Sequence, residues 1–529
     1  MKFDTIIIGS GAGGLSAAIC LAKAGQKVLV LEQHYVAGGW CHSFKLHGSK
    51  FTPGIHYIGL LEDGESTSEL YKGLGIANDL TFFKMNKDAY EHCYIGNERF
   101  DIPANFEEFK NALIKRFPHE KKSITRYLNT IKDVSRELQL IPKMNGFLDA
   151  ITIPWRTRHM GKYGLFSLKR VIDWHVKDPL LQIILNVQCG DHGLPPALAS
   201  FPLHAAVMEH YFSGGYYPKG GGASIVDAMI KKINLHGSQV RVKQMVKSII
   251  IQGEEDKKAV GVELQSGEKI YANNILSNAD PHKTYVDLVG QNHLSKKLNE
   301  KLDSTKYSCT SIMLFLTVNL DVREAGLDSG NIWVMPNKDM DEVYSDMMSV
   351  DILSTDKFKG LFVSCTTLKD PDSFDGKHHV LEVITYINYE SFKEFEGEKK
   401  KRSKEYLVFK EKLMSKMINS LEEVIPNISK HIVHKDLATP ITNNHYINSS
   451  KGNVYGTAKN LKQIGPFAFR PKSEIQNLYL CGASILSHGV AGASHSGVHT
   501  AATILGCRFE ELLKHDNTQK LKIIDAQKK

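Results

Sequence analysis

Phe3-Asp4-Thr5-Ile6-Ile7-Ile8 runs directly into Gly9-Ser10-Gly11-Ala12-Gly13-Gly14, and further on the chain reads Val28-Leu29-Val30-Leu31-Glu32. The first segment is largely β-branched, the pattern of a strand buried on both faces. A helix is expected over Leu15 to Ala24, stopped by Gly25, and Val28 to Leu31 reads as a second buried strand. Strand, glycine turn, helix and strand make a βαβ half-unit of the kind that binds dinucleotides. Gly9 serves the tight turn, Gly11 lets backbone approach a pyrophosphate, and Gly14 allows close packing of helix on strand, with Gly13 in the same cofactor-binding run. Amides at the helix start are free to hold phosphates. Glu32 ends the second strand, where a carboxylate accepts hydrogen bonds from both ribose hydroxyls and repels a 2′-phosphate. The competing reading is an incidental glycine-rich turn, which has to produce this whole succession by chance.

The next segments decide which dinucleotide. Gly38-Gly39 follow soon after the acid, then Trp40-Cys41-His42-Ser43-Phe44 and Phe51-Thr52-Pro53-Gly54-Ile55-His56-Tyr57-Ile58-Gly59. A second glycine pair at this point brings backbone against the pyrophosphate and ribityl chain of FAD, whereas NAD domains usually continue straight into another helix. FAD is therefore the expected cofactor. No second complete fingerprint for a separate nicotinamide domain is present, so NAD(P)H as electron donor would have to use the same crevice or act through an external partner.

These motifs resemble the retinol saturases, within the phytoene desaturase and carotenoid isomerase superfamily of flavoproteins. Asn453-Val454-Tyr455-Gly456, Arg470-Pro471, Leu478-Tyr479-Leu480-Cys481-Gly482 and Gly492-Ala493-Ser494-His495-Ser496-Gly497 agree, in the order in which that superfamily closes its flavin site. The matches lie at both ends of the chain. Trp40 departs from the small residue the saturases carry beside the Cys-His pair, so substrate shape is expected to differ. The resemblance implies an α/β fold, with a Rossmann-like, amine-oxidase-like FAD-binding domain and an interleaved α+β substrate domain. Residues 1–63, 203–280 and 441–513 are assigned to the first, 64–202 and 281–440 to a substrate and membrane-facing domain, and 514–529 to a flexible tail. It also implies that Gly482, Gly492 and Ala493 close the flavin site and that main chain near Val246 faces the adenine. A purely structural sheet is the alternative there.

The implied activity is saturation of a retinoid or carotenoid alkene, an isoprenoid lipid, by flavin hydride chemistry. His56 and Tyr57 are the candidate proton donors, with His42 a weaker one; Cys41 has no evident base beside it. Alternatives are a carotenoid cis-trans isomerase or a desaturase using the same flavin, and, from a different class, a flavin-free isoprenoid escort protein. Intact glycines and Glu32 argue against the last.

With 529 residues the chain is too long for one ordinary domain. Hydrophobic residues at 42% and charged residues at 23% exclude collagen-like, disordered and multi-span membrane chains. A net charge of +8 favours anionic membrane surfaces and is weak for nucleic-acid binding, which is not expected. None of the eight cysteines forms a C-x-x-C pair, so zinc and dithiol redox sites are not expected. The chain opens without an apolar targeting segment and contains no run of ~18 apolar residues, so a peripheral protein of the reducing cytoplasm is expected. The oligomeric state is left open.

Periodicity predicts helices over Asn105 to Arg116, Glu120 to Leu138, Glu405 to Val424 and roughly Gly497 to Leu513, within otherwise mixed and mostly helical material over 64–202. Gly220-Gly221-Gly222 opens a helix to about Leu235, and Val240 to Val242 reads as a strand. Strands are also expected at Val246 to Ile251, Ala259 to Leu264, Lys269 to Tyr271, Asn274 to Ser277, Ser311 to Val318 and His379 to Ile387. Thr152 to Lys177 mixes Trp155, Tyr163, Phe166, Leu168, Val171, Ile172 and Trp174 with six basic residues, a composition suited either to a bilayer interface or to an ordinary surface helix. The charged run Lys399 to Arg402 reads as a solvated loop face.

Overall fold

Ile6, Ile7, Leu29 and Val30 have no solvent exposure, as strands covered on both faces require. The computed structural model describes residues 3–140, 147–397 and 402–528, without the side chains of 147–151. Phe3–Ile8 lies inside a seven-stranded sheet, parallel to Val28–Leu31 on one side and Lys269–Ser277 on the other. Gln239–Arg241 and Leu478–Leu480 add further parallel pairs, and Lys258–Leu264 and Val246–Gln252 continue the sheet antiparallel. Lys269–Ser277 is one strand rather than the two expected pieces. Its first residues pair with the antiparallel meander and the remainder with Phe3–Ile8, so a single strand joins both parts of the sheet.

The first helix is Ala12–Lys23, with Gly11 at its N-cap; it begins at Ala12 and not at Leu15, which puts Gly13 and Gly14 in its first turn. The closing helix is Gly489–Leu505 and not Gly497 to Leu513. Gly506, in the left-handed conformation with φ 68°, stops it, because such a residue turns the chain out of the helix at little steric cost.

A second seven-stranded sheet follows the order Ile432–Ala438, Thr310–Val318, His379–Ile387, Leu361–Cys365, Asn331–Met335, Glu91–Ile95, Glu98–Ile102. Every residue of Thr310–Val318 is buried. The last two strands come from the region expected to be mostly helical. They form a hairpin closed by Gly96-Asn97, a two-residue loop whose residue types are themselves a turn signal. Phe106–Arg116 and Lys121–Leu140 are helical, the first capped by Asn105 accepting from the amides of Glu107 and Glu108.

The segment 514–529 is not a flexible tail over its described length. Lys522–Asp525 pairs in parallel with Thr81–Lys84, which pairs on its other side with Tyr216–Pro218. Ladder hydrogen bonds use main chain, so a polar segment completes an edge that its composition does not advertise. Within Thr152 to Lys177, Tyr163, Leu168, Val171 and Ile172 are core residues, contrary to an interface role for all seven apolar side chains, whereas Trp155 is 82% exposed and Leu165 77%. Among the described residues no helix is long and apolar enough to cross a membrane. The run Lys399 to Arg402 lies largely outside the described residues.

Candidate functional site

Gly9 leaves the first strand at φ 92° and donates its amide to Leu31 O at 2.8 Å, so the turn is locked to the neighbouring strand end. A Cβ on Gly14 would stand 2.3 Å from Gly9 O, which makes Gly14 a packing residue. On Gly11 it would stand 2.7 Å from Asn278 Nδ2, and on Gly13 2.7 Å from Asn278 Oδ1. A Cβ on Gly482 would also stand 2.7 Å from Asn278 Oδ1. Asn278 therefore sits at the centre of the glycine turn, just beyond the carboxyl end of Lys269–Ser277. Sequence reading did not single it out. Its position beyond a parallel strand end, where ligands of open α/β sheets bind, is the signal that could have found it.

Glu32 is buried, and its carboxylate faces the turn. Oε2 accepts from Ser10 N at 3.0 Å and Ser10 Oγ at 2.6 Å, and Oε1 accepts from His34 N at 2.8 Å. Oε1 retains capacity for a further donor such as a ribose hydroxyl. Gly38 and Gly39 take φ 122° and 55°, and a Cβ on Gly39 would lie 3.1 Å from the Gly11 Cα, so the second glycine pair closes directly over the first. Gly38 N donates to Ser10 Oγ at 2.9 Å, which ties both loops to Glu32.

One open cleft, with an empty volume of about 1770 Å³, is lined by Gly9, Gly11, Gly13, Glu32, Gly38, Gly39, Val246, Gly482 and Ala493, together with His56 and Tyr57. Gly14 and Gly492 do not line it. A Cβ on Gly492 would stand 2.8 Å from the Ser487 Cβ, so this glycine serves the loop entering the closing helix. The second sheet contributes Met313, Trp333, Phe362, Ile384 and Tyr386 to the wall. A glycine cradle whose floor leaves no room for side chains, an acid beside it and an apolar wall fit FAD.

Tyr57 and His56 do not stand alone. Tyr57 Oη lies 2.6 Å from Glu91 Oε1 and 2.8 Å from Asp191 Oδ2. Glu91 also accepts from Trp333 Nε1 at 3.0 Å and Gln188 Nε2 at 3.3 Å. Burial pushes the Glu91 carboxyl up to about 7 and lifts Asp191 well above the usual carboxylate range, with the nearby Glu91 charge adding to the effect on Asp191. Tyr57 is raised well above a free phenol, by burial first and then by Asp191 and Glu91. His56 Nδ1 lies 3.1 Å from Glu382 Oε2, and Lys369 Nζ donates to His56 O at 2.8 Å and to Ser364 Oγ at 2.7 Å. Burial pulls the Lys369 ammonium down to about 7.

His42 does not line the cleft; its Nδ1 lies 2.6 Å from Gly39 O, a contact that positions the glycine loop. Cys41 lines the cleft, but burial pushes its thiol up to about 12, so it is no nucleophile at neutral pH. Glu91, Asp191, Trp333 and Lys369 escaped sequence reading because they come from distant segments that only the fold brings together. Among the described residues no group of three or more His, Cys, Asp or Glu is arranged to hold a metal ion.

Residues 12–505 match the family model described as flavin containing amine oxidoreductase. An all-trans-retinol 13,14-reductase of Danio rerio is 31% identical over 525 residues, covering 95% of this chain and 86% of that protein. A chloroplastic prolycopene isomerase of Daucus carota is 26% identical over 525 residues, covering 96% and 81%. A solved structure of a redesigned putrescine oxidase shares the fold at 16% identity, with a TM-score of 0.65, covering 96% of this chain and 99% of its own. The matched family model spans nearly the whole chain, from the first turn of Ala12–Lys23 to the end of the closing helix: this chain belongs to the flavin containing amine oxidoreductases.

Proposed function

We propose that this chain is an FAD-dependent oxidoreductase that saturates a carbon–carbon double bond of a long isoprenoid lipid, a retinoid or carotenoid alkene. The observation that carries the reading is one cleft in which the glycine cradle adjoins an apolar aromatic wall. The similarity to a retinol reductase and to a prolycopene isomerase supports the isoprenoid class. Gly9, Gly11, Gly13, Glu32, Gly38, Gly39, Val246, Gly482 and Ala493 hold the cofactor, while Gly14 and Gly492 act through packing. Bound there, flavin supplies hydride chemistry to and from carbon. Trp333, Phe362, Tyr386 and their aliphatic neighbours exclude water and lie along the polyene, and His56 and Tyr57 supply the polar, proton-managing part of the wall. Lys369, bonded to the His56 carbonyl, keeps that loop in place.

The test is anaerobic. Photoreduced holoenzyme is mixed with stoichiometric all-trans-retinol, or with a carotene, and absorbance and product mass are followed. A gain of two mass units with flavin reoxidation is expected; equal mass with altered geometry would support the isomerase reading, which the Daucus carota relative favours. Loss of two mass units from substrate given to oxidised enzyme would reverse the direction. NAD(P)H is the proposed electron source, tested by bleaching of the flavin absorbance on its addition without light.

A lipid substrate calls for contact with a membrane surface, here on the cytoplasmic side. Trp155 and Leu165 protrude beside Arg156, Arg158 and Lys162, the pairing of apolar and basic groups that holds a protein in a bilayer interface. Trp155→Ser with Leu165→Ser is expected to reduce flotation with anionic vesicles several-fold, and high salt to remove only the electrostatic part. Unchanged flotation would move the contact to another face.

A further inference from the structure

Tyr57, Glu91 and Asp191 come from three separate parts of the chain and meet at the cleft wall, which Tyr57 and Asp191 line and behind which Glu91 is buried. The phenolic oxygen of Tyr57 is within hydrogen-bond distance of a carboxyl oxygen on each side, at 2.6 Å to Glu91 and 2.8 Å to Asp191. A phenol has one hydrogen to donate. Two carboxylates cannot both accept it, so one of the two contacts is a carboxyl O–H donating to the phenolic oxygen.

The surroundings decide which carboxyl holds the proton. Glu91 is fully buried and accepts from Trp333 Nε1 and Gln188 Nε2 as well as facing Tyr57, the environment of the charged member. Among the described residues, Tyr57 is the only side chain hydrogen-bonded to the Asp191 carboxyl, and Asp191 lines the cleft. The upward displacement of both carboxyls by burial fits a pair that keeps one proton at neutral pH.

We propose that Asp191, in its neutral form, is the acid that protonates the substrate carbon, with Tyr57 orienting it and Glu91 carrying the charge of the pair. The inference rests on the reductase reading above. In the balanced step, one alkene carbon receives hydride, a proton with two electrons, from the reduced flavin. The π electron pair shifts to the neighbouring carbon, which forms its C–H bond with the Asp191 proton as the Asp191 O–H bond breaks and leaves a carboxylate. Two carboxylates then flank Tyr57, and their repulsion drives uptake of one proton from water to restore Asp191. Tyr57 itself is a poor donor, because its loss of a proton would set a phenolate against Glu91.

The first test needs no substrate. Infrared spectra of the oxidised holoenzyme in H₂O and D₂O should show a deuterium-sensitive C=O stretch of a protonated carboxyl, absent in Asp191→Asn and displaced in frequency in Asp191→Glu, which also serves if the asparagine variant does not fold. Survival of that band in Asp191→Asn with its loss in Glu91→Gln would overturn the assignment, as would its absence from the parent protein. The second test uses single turnover of photoreduced enzyme with all-trans-retinol. Asp191→Asn should slow appearance of the saturated product by at least about 100-fold, the low end for loss of a general acid, with flavin absorbance and photoreduction intact. An undiminished rate rejects the proposal. If the parent enzyme itself fails to saturate retinol, the substrate reading falls, while the infrared arm still decides the state of Asp191.

Discussion

Gly11→Val is expected to yield a folded protein without bound flavin. The added Cβ would stand 2.7 Å from Asn278 Nδ2, and the valine methyl groups would project where the turn leaves room for backbone alone. Gly39 closes over the same point, so the space cannot be recovered by moving the second glycine loop outward without opening the cleft. Affinity should fall by at least about 100-fold, or about 2.7 kcal/mol, measured as lost flavin absorbance at unchanged far-ultraviolet circular dichroism. The double variant Gly11→Val with Asn278→Ala separates two causes. It relieves the clash with the amide and leaves the methyl groups in place, so it should recover stability and stay colourless. Return of the yellow colour would mean that flavin is lost through Asn278 and that the pyrophosphate does not lie against Gly11.

The second large effect is structural. In the packing of Ala12–Lys23 against Gly489–Leu505, a Cβ on Gly497 would stand 2.0 Å from Gly13 O and 3.1 Å from Ala17 N. Both obstacles are helix backbone, which cannot rotate away as a side chain would. Gly497→Ala must push the two helices apart along the floor of the flavin site. A loss of at least about 3 kcal/mol is expected, the upper part of the range for overpacking, read from urea unfolding and from earlier thermal release of flavin. Gly161→Ala is the control, since a Cβ there meets nothing within 4 Å and alanine favours a helix. A Gly497→Ala protein as stable as the parent would show that the two helices do not make this contact.

Local regularities in the chain carried the dinucleotide half-unit. A β-branched run, glycines at fixed spacing and a terminal acid act within one short segment, where each backbone requirement has its own residue type. The glycine roles at Gly9 and Gly14 and the flavin reading from Gly38-Gly39 were legible for that reason. Element ends were less so: the first helix absorbs Gly13 and Gly14, and the closing helix stops at Gly506 because one left-handed residue outweighs a continuing apolar pattern.

Tertiary structure decided everything that depends on what lies opposite. The polar segment around Ile523 became an edge strand because Thr81–Lys84 offered it main-chain partners. Tyr163, Leu168, Val171 and Ile172 went into the core while Trp155 stayed outside, a choice that composition cannot express because burial depends on the neighbouring helices. Asn278 gained its place from the crossing of three chain segments at the glycine turn. The proton-bearing cluster is the furthest case: Tyr57 was visible as a candidate donor, but Glu91, Asp191 and Trp333 stand far apart in sequence and no spacing links them. Their chemistry comes from being desolvated together, and desolvation is a property of the folded surroundings, so the acid in the wall could be found only where the chain had brought those groups within hydrogen-bond reach.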